Sequence, residues 1–431
     1  MKNILLRLIH RAVAVFLLLV FALSLSGCGA VNYIKKETTV YIATDIHLFS
    51  NNLIGEDNQV YHKNRFVSDG RIQEYDYQLV ESLVAEVNRG EPEYLILTGD
   101  LSFNGEEDSH LELARLLSFV NDKTKVLVIP GNHDVYSVSA VTVENDKIEK
   151  IDGITKERFR EIYYDFGYSG AYSYDENSLS YIYELDDHTW ALMLDTSLSK
   201  YNEEYGYNIV GGGIEESTML WIEENLALAK DNGISVVSFT HHNLLVHNEL
   251  FKTSYTIGNY EELLNLFAEY GVRLNFSGHL HVQSIESQTV DGEEIYDVSG
   301  GSLLDYGNRY GKLDIYGGFY RYQSIPIDLS GFDEDVRAHS FDTFCKKYYN
   351  KTLWTYQSKL GQYDGPAVTQ LLSEINSYYF DGSYKEIHRL IKENPESIEK
   401  IKENTPDYDS SYVKSIIEVE NKDQHSLLLS R

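Results

Sequence analysis

Four short clusters concentrate hard metal ligands in this 431-residue chain: Asp45-Ile46-His47, Gly99-Asp100, Gly131-Asn132-His133-Asp134 and Gly278-His279-Leu280-His281. His241-His242 stands between the last two. All the donors are oxygen or nitrogen with no thiolate near them, a set that suits Mn, Fe or Zn and not a soft-metal or Cys-rich structural site. Asp-x-His and His-x-His share a spacing of two, which in extended backbone turns both side chains the same way. Each pair is therefore expected to reach one ion or two adjacent ones. Two cations about 3.5–4 Å apart can hold a hydroxide and clamp a phosphoryl group for in-line attack. Singly the clusters say little, since Gly-Asp is a common turn and Asp-x-His recurs by chance; their order, each after a strand, carries the reading.

The elements that must position them are legible as apolar runs. Thr39 to Thr44, Tyr94 to Thr98, Lys125 to Ile129, Thr189 to Leu194, Ile234 to Thr240 and Val272 to Phe276 read as buried strands. Between them, residues 72–88, 109–121, 215–230 and 260–270 have helical spacing, and the alternation predicts a layered α/β domain. Five of these strands end at a ligand cluster, where loops at a carboxyl sheet edge collect functional groups. Glycines at 99, 131 and 278 let the chain turn next to the ions. Beyond residue 281 the pattern becomes hairpin-like, 283–290 and 294–299 joined through Asp291-Gly292, with more short strands to about Ile327. A break near Ser330-Gly331 opens a helical C-terminal domain. Val368, Leu371, Leu372, Ile375, Tyr378 and Tyr379 mark one helix face, and Asp364-Gly365-Pro366, Asp381-Gly382, Pro395 and Pro406 mark stops.

The formal charge of −30 argues against a polynucleotide held in a basic groove and leaves the metals to supply local positive charge. Lys2, Arg7 and Arg11, the apolar run Ala12 to Leu25 and Ser26-Gly27-Cys28 follow the order of a secretory signal. The run is short for a membrane span of about 20 residues. Leu25-Ser26-Gly27-Cys28 resembles a bacterial lipobox. The expectation is a signal peptide over 1–27, lipidation of Cys28, a tether over 28–37, a catalytic domain over 38–326 and a helical domain over 327–431, exported and anchored to the outer face of the cell membrane. Cys345 alone then remains, so no intramolecular disulfide is expected, and its aromatic neighbours predict a buried small hydrophobe.

In this order the motifs resemble those of the calcineurin-like metallophosphoesterase superfamily: Asp-x-His, Gly-Asp, Gly-Asn-His-Asp, a later His and Gly-His-x-His, over roughly residues 38 to 326. The resemblance implies an αββα sandwich with a small all-helical C-terminal domain. It implies one metal held by Asp45, His47 and His281, and a second by Asn132, His241 and His279, with Asp100 bridging. It implies that His133 lies by the leaving group or phosphate, with Asp134 able to orient its ring, and it favours His241 over His242 as the ligand. Phe103 stands where purple acid phosphatases carry a ligand Tyr, so no phenolate-iron chromophore is expected. Residues 98–106, 129–134 and 240–243 look like the exported bacterial class III cyclic-nucleotide phosphodiesterase group. The implied activity is hydrolysis of cyclic nucleotides or other small phosphodiesters by a metal-bound hydroxide. A phosphomonoesterase of the same fold and a non-catalytic surface binding lipoprotein are the alternatives. Oligomeric state is not readable from the residues.

Overall fold

The computed structural model describes residues 36–55, 70–145 and 147–431. The expected signal peptide, Cys28 and nearly all of the tether lie outside the described residues. Among the described residues, fifteen strands alternate with helices: β1 (Lys36–Ala43), β2 (Tyr94–Thr98), β3 (Lys125–Ile129), β4 (Val141–Glu144), β5 (Lys147–Lys150), β6 (Ser173–Tyr174), β7 (Tyr181–Asp186) and β8 (Thr189–Leu194), then β9 (Ser235–Thr240), β10 (Leu274–Ser277), β11 (Ser284–Val290), β12 (Glu293–Ser299), β13 (Arg309–Tyr316), β14 (Phe319–Pro326) and β15 (Ser426–Ser430). They form one six-stranded sheet in the order β15-β14-β13-β1-β2-β3, one seven-stranded sheet in the order β11-β12-β10-β9-β8-β7-β6, and the small hairpin β4-β5.

The predicted apolar runs form parallel strands in both sheets. β1, β2 and β3 pair in parallel in the first sheet, and β8, β9, β10 and β12 in the second. Val40, Ile96 and Leu127 from one sheet and Val237, Phe239 and Phe276 from the other belong to one buried cluster between them. Helices Asp76–Gly90 and Glu107–Leu117 cover the first sheet, with Leu79, Leu83 and Leu113 in that same cluster. Ile222 and Leu226 of helix Glu216–Asp231 and Leu263 and Phe267 of helix Tyr260–Tyr270 bury the outer face of the second. The expected α/β sandwich and helical C-terminal region are therefore observed. No helix among the described residues is long and apolar enough to cross a membrane.

The C-terminal region departs from its expected form in three ways. The long helix Val336–Asp381 runs through Asp364-Gly365-Pro366 and breaks at Gly361, whose φ of 82° and ψ of −176° are non-helical. Pro366 follows five residues after that break. The chain does not end in helix: β15 returns to pair antiparallel with β14, so residues 426–430 belong to the catalytic sheet. The helical core, with Tyr348, Leu372, Ile375 and Ile387, also includes Leu280 and Val282 of the Gly-His-x-His segment. Cys345 is buried as expected, its Sγ 3.1 Å from Ser377 Oγ.

Candidate metal centre

The ligand loops leave the carboxyl ends of β1, β2 and β3 in one sheet and β9 and β10 in the other, and are hydrogen-bonded side by side. Asp45 N donates to the Gly99 carbonyl at 3.1 Å and His47 N to that of Asp100 at 2.9 Å. The expected extended backbone is absent. Asp45, His47, Asp100, His279 and His281 all have left-handed backbone, φ between 45° and 63°. Each such position costs of order 1–3 kcal/mol and persists where its surroundings fix it. The Asp-x-His and His-x-His pairs converge through tight turns, not through strand alternation. Gly131 and Gly278 are required by close approach: a Cβ at Gly131 would overlap Asp100 Oδ1, and one at Gly278 would overlap Thr44 Oγ1.

All seven predicted ligands come together. His281 Nε2 lies 3.1 Å from Asp45 Oδ1, and His47 Nε2 lies 3.9 Å from the same oxygen. Asp100 faces both halves: Oδ2 is 3.6 Å from His47 Nε2 and Oδ1 is 3.3 Å from His241 Nε2. Asn132 Oδ1 is 3.1 Å from His241 Nε2. Two groups capable of holding an ion result, Asp45-His47-His281 and Asp100-His241-His279, with His47-Asp100-His133 between them. Asp100 thus has the placement of a bridging carboxylate.

The outward ring nitrogens are fixed from behind, which sets tautomer and aim. His241 Nδ1 donates to the Thr98 carbonyl at 2.9 Å, and His279 Nε2 to that of Ser254 at 3.0 Å, leaving Nδ1 of His279 for the centre. His281 Nδ1 donates to Asp305 Oδ2 at 2.6 Å. His47 Nδ1 is buried with no partner among the described residues, so its ring is held by its Nε2 side. His242 is turned away: Thr196 Oγ1 donates to its Nδ1 at 2.8 Å and its Nε2 donates to the Val210 carbonyl at 2.9 Å. Burial and the neighbouring His241 push its pKa down to about 3. His241 is the ring that faces the site.

Asp134 does not orient His133. Its carboxylate collects the N–H groups of Leu101, Ser102 and Gly131 and the Ser102 hydroxyl at 2.8–3.1 Å, tying two ligand loops together. The turn after Gly131 aims this side chain inward, where backbone donors would otherwise be buried unpaired. His133 instead donates from Nδ1 to the Phe103 carbonyl at 2.8 Å, with Asn104 Oδ1 at 3.0 Å. Its Nε2 is 3.9 Å from Asp100 Oδ2 and its side chain is 31% exposed, so the ring is open to a substrate. Asp305 and Arg71 are among the residues that escaped the sequence reading. Asp305 lies in a loop without a motif, and Arg71, half-buried, enters from ahead of the turn Gln73–Tyr75. Neither position carries a spacing signal.

The donor set fits a pair of cations. His47 Nε2 and His281 Nε2 stand 3.3 Å apart, both within reach of Asp45 Oδ1. Burial disfavours charge on His241 and His281, yet Asp100 beside the first and Asp45 and Asp305 beside the second raise both to about 9. Burial opposes ionisation of Asp45 and Asp100 as well, and the adjacent His281 and His241 nonetheless hold both carboxyls low. The pocket is electrostatically built for positive charge between its carboxylates.

The centre opens into a cleft of about 490 Å³ bounded by Arg71, His133, Tyr255 and, from the helical region, Lys347 and Tyr412. The calcineurin-like phosphoesterase family profile matches residues 38–283, and the chain belongs to that family. It is a metal-dependent phosphoester hydrolase with a dimetal site, acting on small phosphate esters. Among solved structures it is similar to a dimetal phosphatase from Danio rerio, at 13% identity and a TM-score of 0.46, covering 69% of this chain and all of that one. It is also similar to a sulfate thiohydrolase from Thermus thermophilus, at 12% identity and a TM-score of 0.37, covering 73% of this chain and 61% of that one. No curated protein matches it.

Proposed function

We propose that the chain hydrolyses small phosphodiesters, cyclic nucleotides among them. The observation that carries this reading is the half-buried His133, poised by the Phe103 carbonyl with Nε2 toward the cleft beside Asp100. The alkoxide leaving from a diester needs a proton, and a positioned acid is worth about 10²–10⁴-fold. When bound, two transition cations, Mn, Fe or Zn, supply Lewis-acid polarisation of the phosphoryl oxygens and acidify a water. Asp45, His47 and His281 would hold one and Asn132, His241 and His279 the other, with Asp100 shared. Arg71, which makes no ion pair or hydrogen bond among the described residues, supplies charge to a bound phosphoryl group. Asp134 keeps the Asp100 and His133 loops in register.

The order of basic, apolar and small residues ahead of Cys28 supports export and lipid anchoring at the outer membrane face. Such a location favours extracellular nucleotides or envelope phosphodiesters as substrates over a cytosolic pool. A panel of cyclic nucleotides, bis(p-nitrophenyl) phosphate and p-nitrophenyl phosphate with Mn²⁺ tests the activity. Turnover of diesters above monoester supports it; turnover of the monoester alone assigns a phosphomonoesterase, and none at all assigns a binding protein. Labelling by a radioactive fatty acid, lost in Cys28→Ala, tests the anchor.

A further inference from the structure

The cleft beside the metal centre is walled on one side by the helical region. Phe344, Lys347, Tyr348 and Lys351 all line it from helix Val336–Asp381, a spacing of three, four and seven that places them on a single helix face. Lys347 and Lys351 are both exposed, and Lys351 makes no ion pair or hydrogen bond among the described residues. The carboxylates that line the cleft, Asp100 and Asp305, bond to the ligand histidines, and Arg71 and Lys347 direct further positive charge toward Asp305. A protein of net charge −30 therefore presents cations at the lip of its reactive cleft, where low-dielectric walls focus the field on an incoming anion.

Rings form another wall. His279 contacts Tyr255 at 4.8 Å, Tyr255 contacts Phe251 at 5.4 Å, Phe251 contacts Tyr412 at 5.5 Å and Tyr412 contacts Tyr348 at 6.1 Å, centroid to centroid. Tyr255 and Phe251 come from the catalytic domain, and Tyr412 and Tyr348 from the helical region. The surface is continuous across the two and offers a flat organic group a face to stack on.

We propose that the helical region is the specificity element of the site: Lys347 and Lys351 form a second anion subsite beside this aromatic wall, selecting esters that carry a ring and a second anionic group besides the phosphoryl held at the metals. The proposal rests on the phosphoesterase reading of the metal centre and adds the shape of the substrate. Both lysines are exposed, so their replacement leaves the core untouched, and lysine rather than arginine suits a subsite that reads charge without bidentate geometry.

Binding measured by calorimetry on Mn²⁺-loaded protein tests this without requiring turnover. Thymidine 3′,5′-bisphosphate should bind at least about tenfold tighter than thymidine 5′-monophosphate, a gap that two partly exposed charge pairs can supply. In the K347A/K351A double variant that preference should fall below about threefold, and its salt dependence should fall with it. Propane-1,3-diyl bisphosphate, which keeps two phosphates and lacks the ring, should bind at least about fivefold weaker than the nucleotide bisphosphate. Equal affinity for the two nucleotides, or a preference that survives in the double variant, overturns the anion subsite; equal affinity for the ringless compound overturns the aromatic seat. A preserved binding preference with no hydrolysis of any ester would remove the catalytic reading and leave the subsite standing.

Discussion

Asp305 Oδ2 stands 2.6 Å from His281 Nδ1, and through that bond a loop with no recognisable motif fixes the ring whose Nε2 faces Asp45 at 3.1 Å. Burial opposes the charge on Asp305, but its bond to His281 holds the carboxyl below its ordinary range. Partners of this kind are typically worth 10–100-fold in metal affinity. Asp305→Ala is accordingly expected to weaken metal binding by about that factor, with secondary structure intact. Titration of the apo protein with Mn²⁺ or Zn²⁺ checks it, and unchanged affinity would separate Asp305 from the centre.

Asp100 and His133 are neighbours with different duties, and their variants should part accordingly. Asp100→Ala removes the carboxylate that faces both halves and should cost both ions and nearly all turnover. His133→Ala should keep its metal content and lose about 10²–10⁴ in kcat on diesters. Elemental analysis beside steady-state kinetics on the same preparations distinguishes the two.

Leu280 sits between two ligand histidines and is buried in the helical core. Leu280→Ala should cost about 2–5 kcal/mol in unfolding and weaken metal binding, because the cavity loosens the turn carrying His279 and His281. For the same reason, ending the chain after Ser330 should not leave an intact catalytic domain. It strips the cover from Leu280 and Val282 and removes β15 from its sheet. Thermal denaturation of both variants checks this; native-like melting of the truncated chain would contradict the shared core.

Asp195, just past the end of β8, is partly buried, and burial raises its pKa from the ordinary 3.8 to about 6, against the opposing bonds from the Ser197 and Leu179 N–H groups. A folded-state pKa above the unfolded value means the native state binds the extra proton. Its stabilising contribution is full below pH about 4 and is lost as pH rises through about 6. A rise of that size is worth roughly 3 kcal/mol at most. Asp195→Asn should therefore flatten the stability profile between those limits, read as denaturant midpoints against pH; an unchanged slope would show that folding leaves this carboxyl at its ordinary pKa.

Much of this was legible in the chain because buried parallel strands announce themselves as apolar runs. Tyr94 to Thr98, Lys125 to Ile129 and Thr189 to Leu194 are strands with the bounds their residues predict. The ligands followed because each stands just beyond such a run. Their mode of convergence did not, since left-handed backbone at Asp45 or His279 is imposed by loop-to-loop hydrogen bonds that spacing does not encode. Asp305, Arg71 and Lys347 were invisible for a related reason: each reaches the cleft only through tertiary packing. β15 was missed because Ser426-Leu427-Leu428-Leu429-Ser430, short and at an edge, has no alternation to declare a strand.

Anomalous scattering from crystals of the Mn²⁺-loaded chain tests the central claim most directly. Two peaks about 3.5–4 Å apart, one on either side of the Asp100 carboxylate, are expected, the first among Asp45, His47 and His281 and the second among Asn132, His241 and His279. A single peak, or density placed away from Asp100, would contradict the binuclear centre.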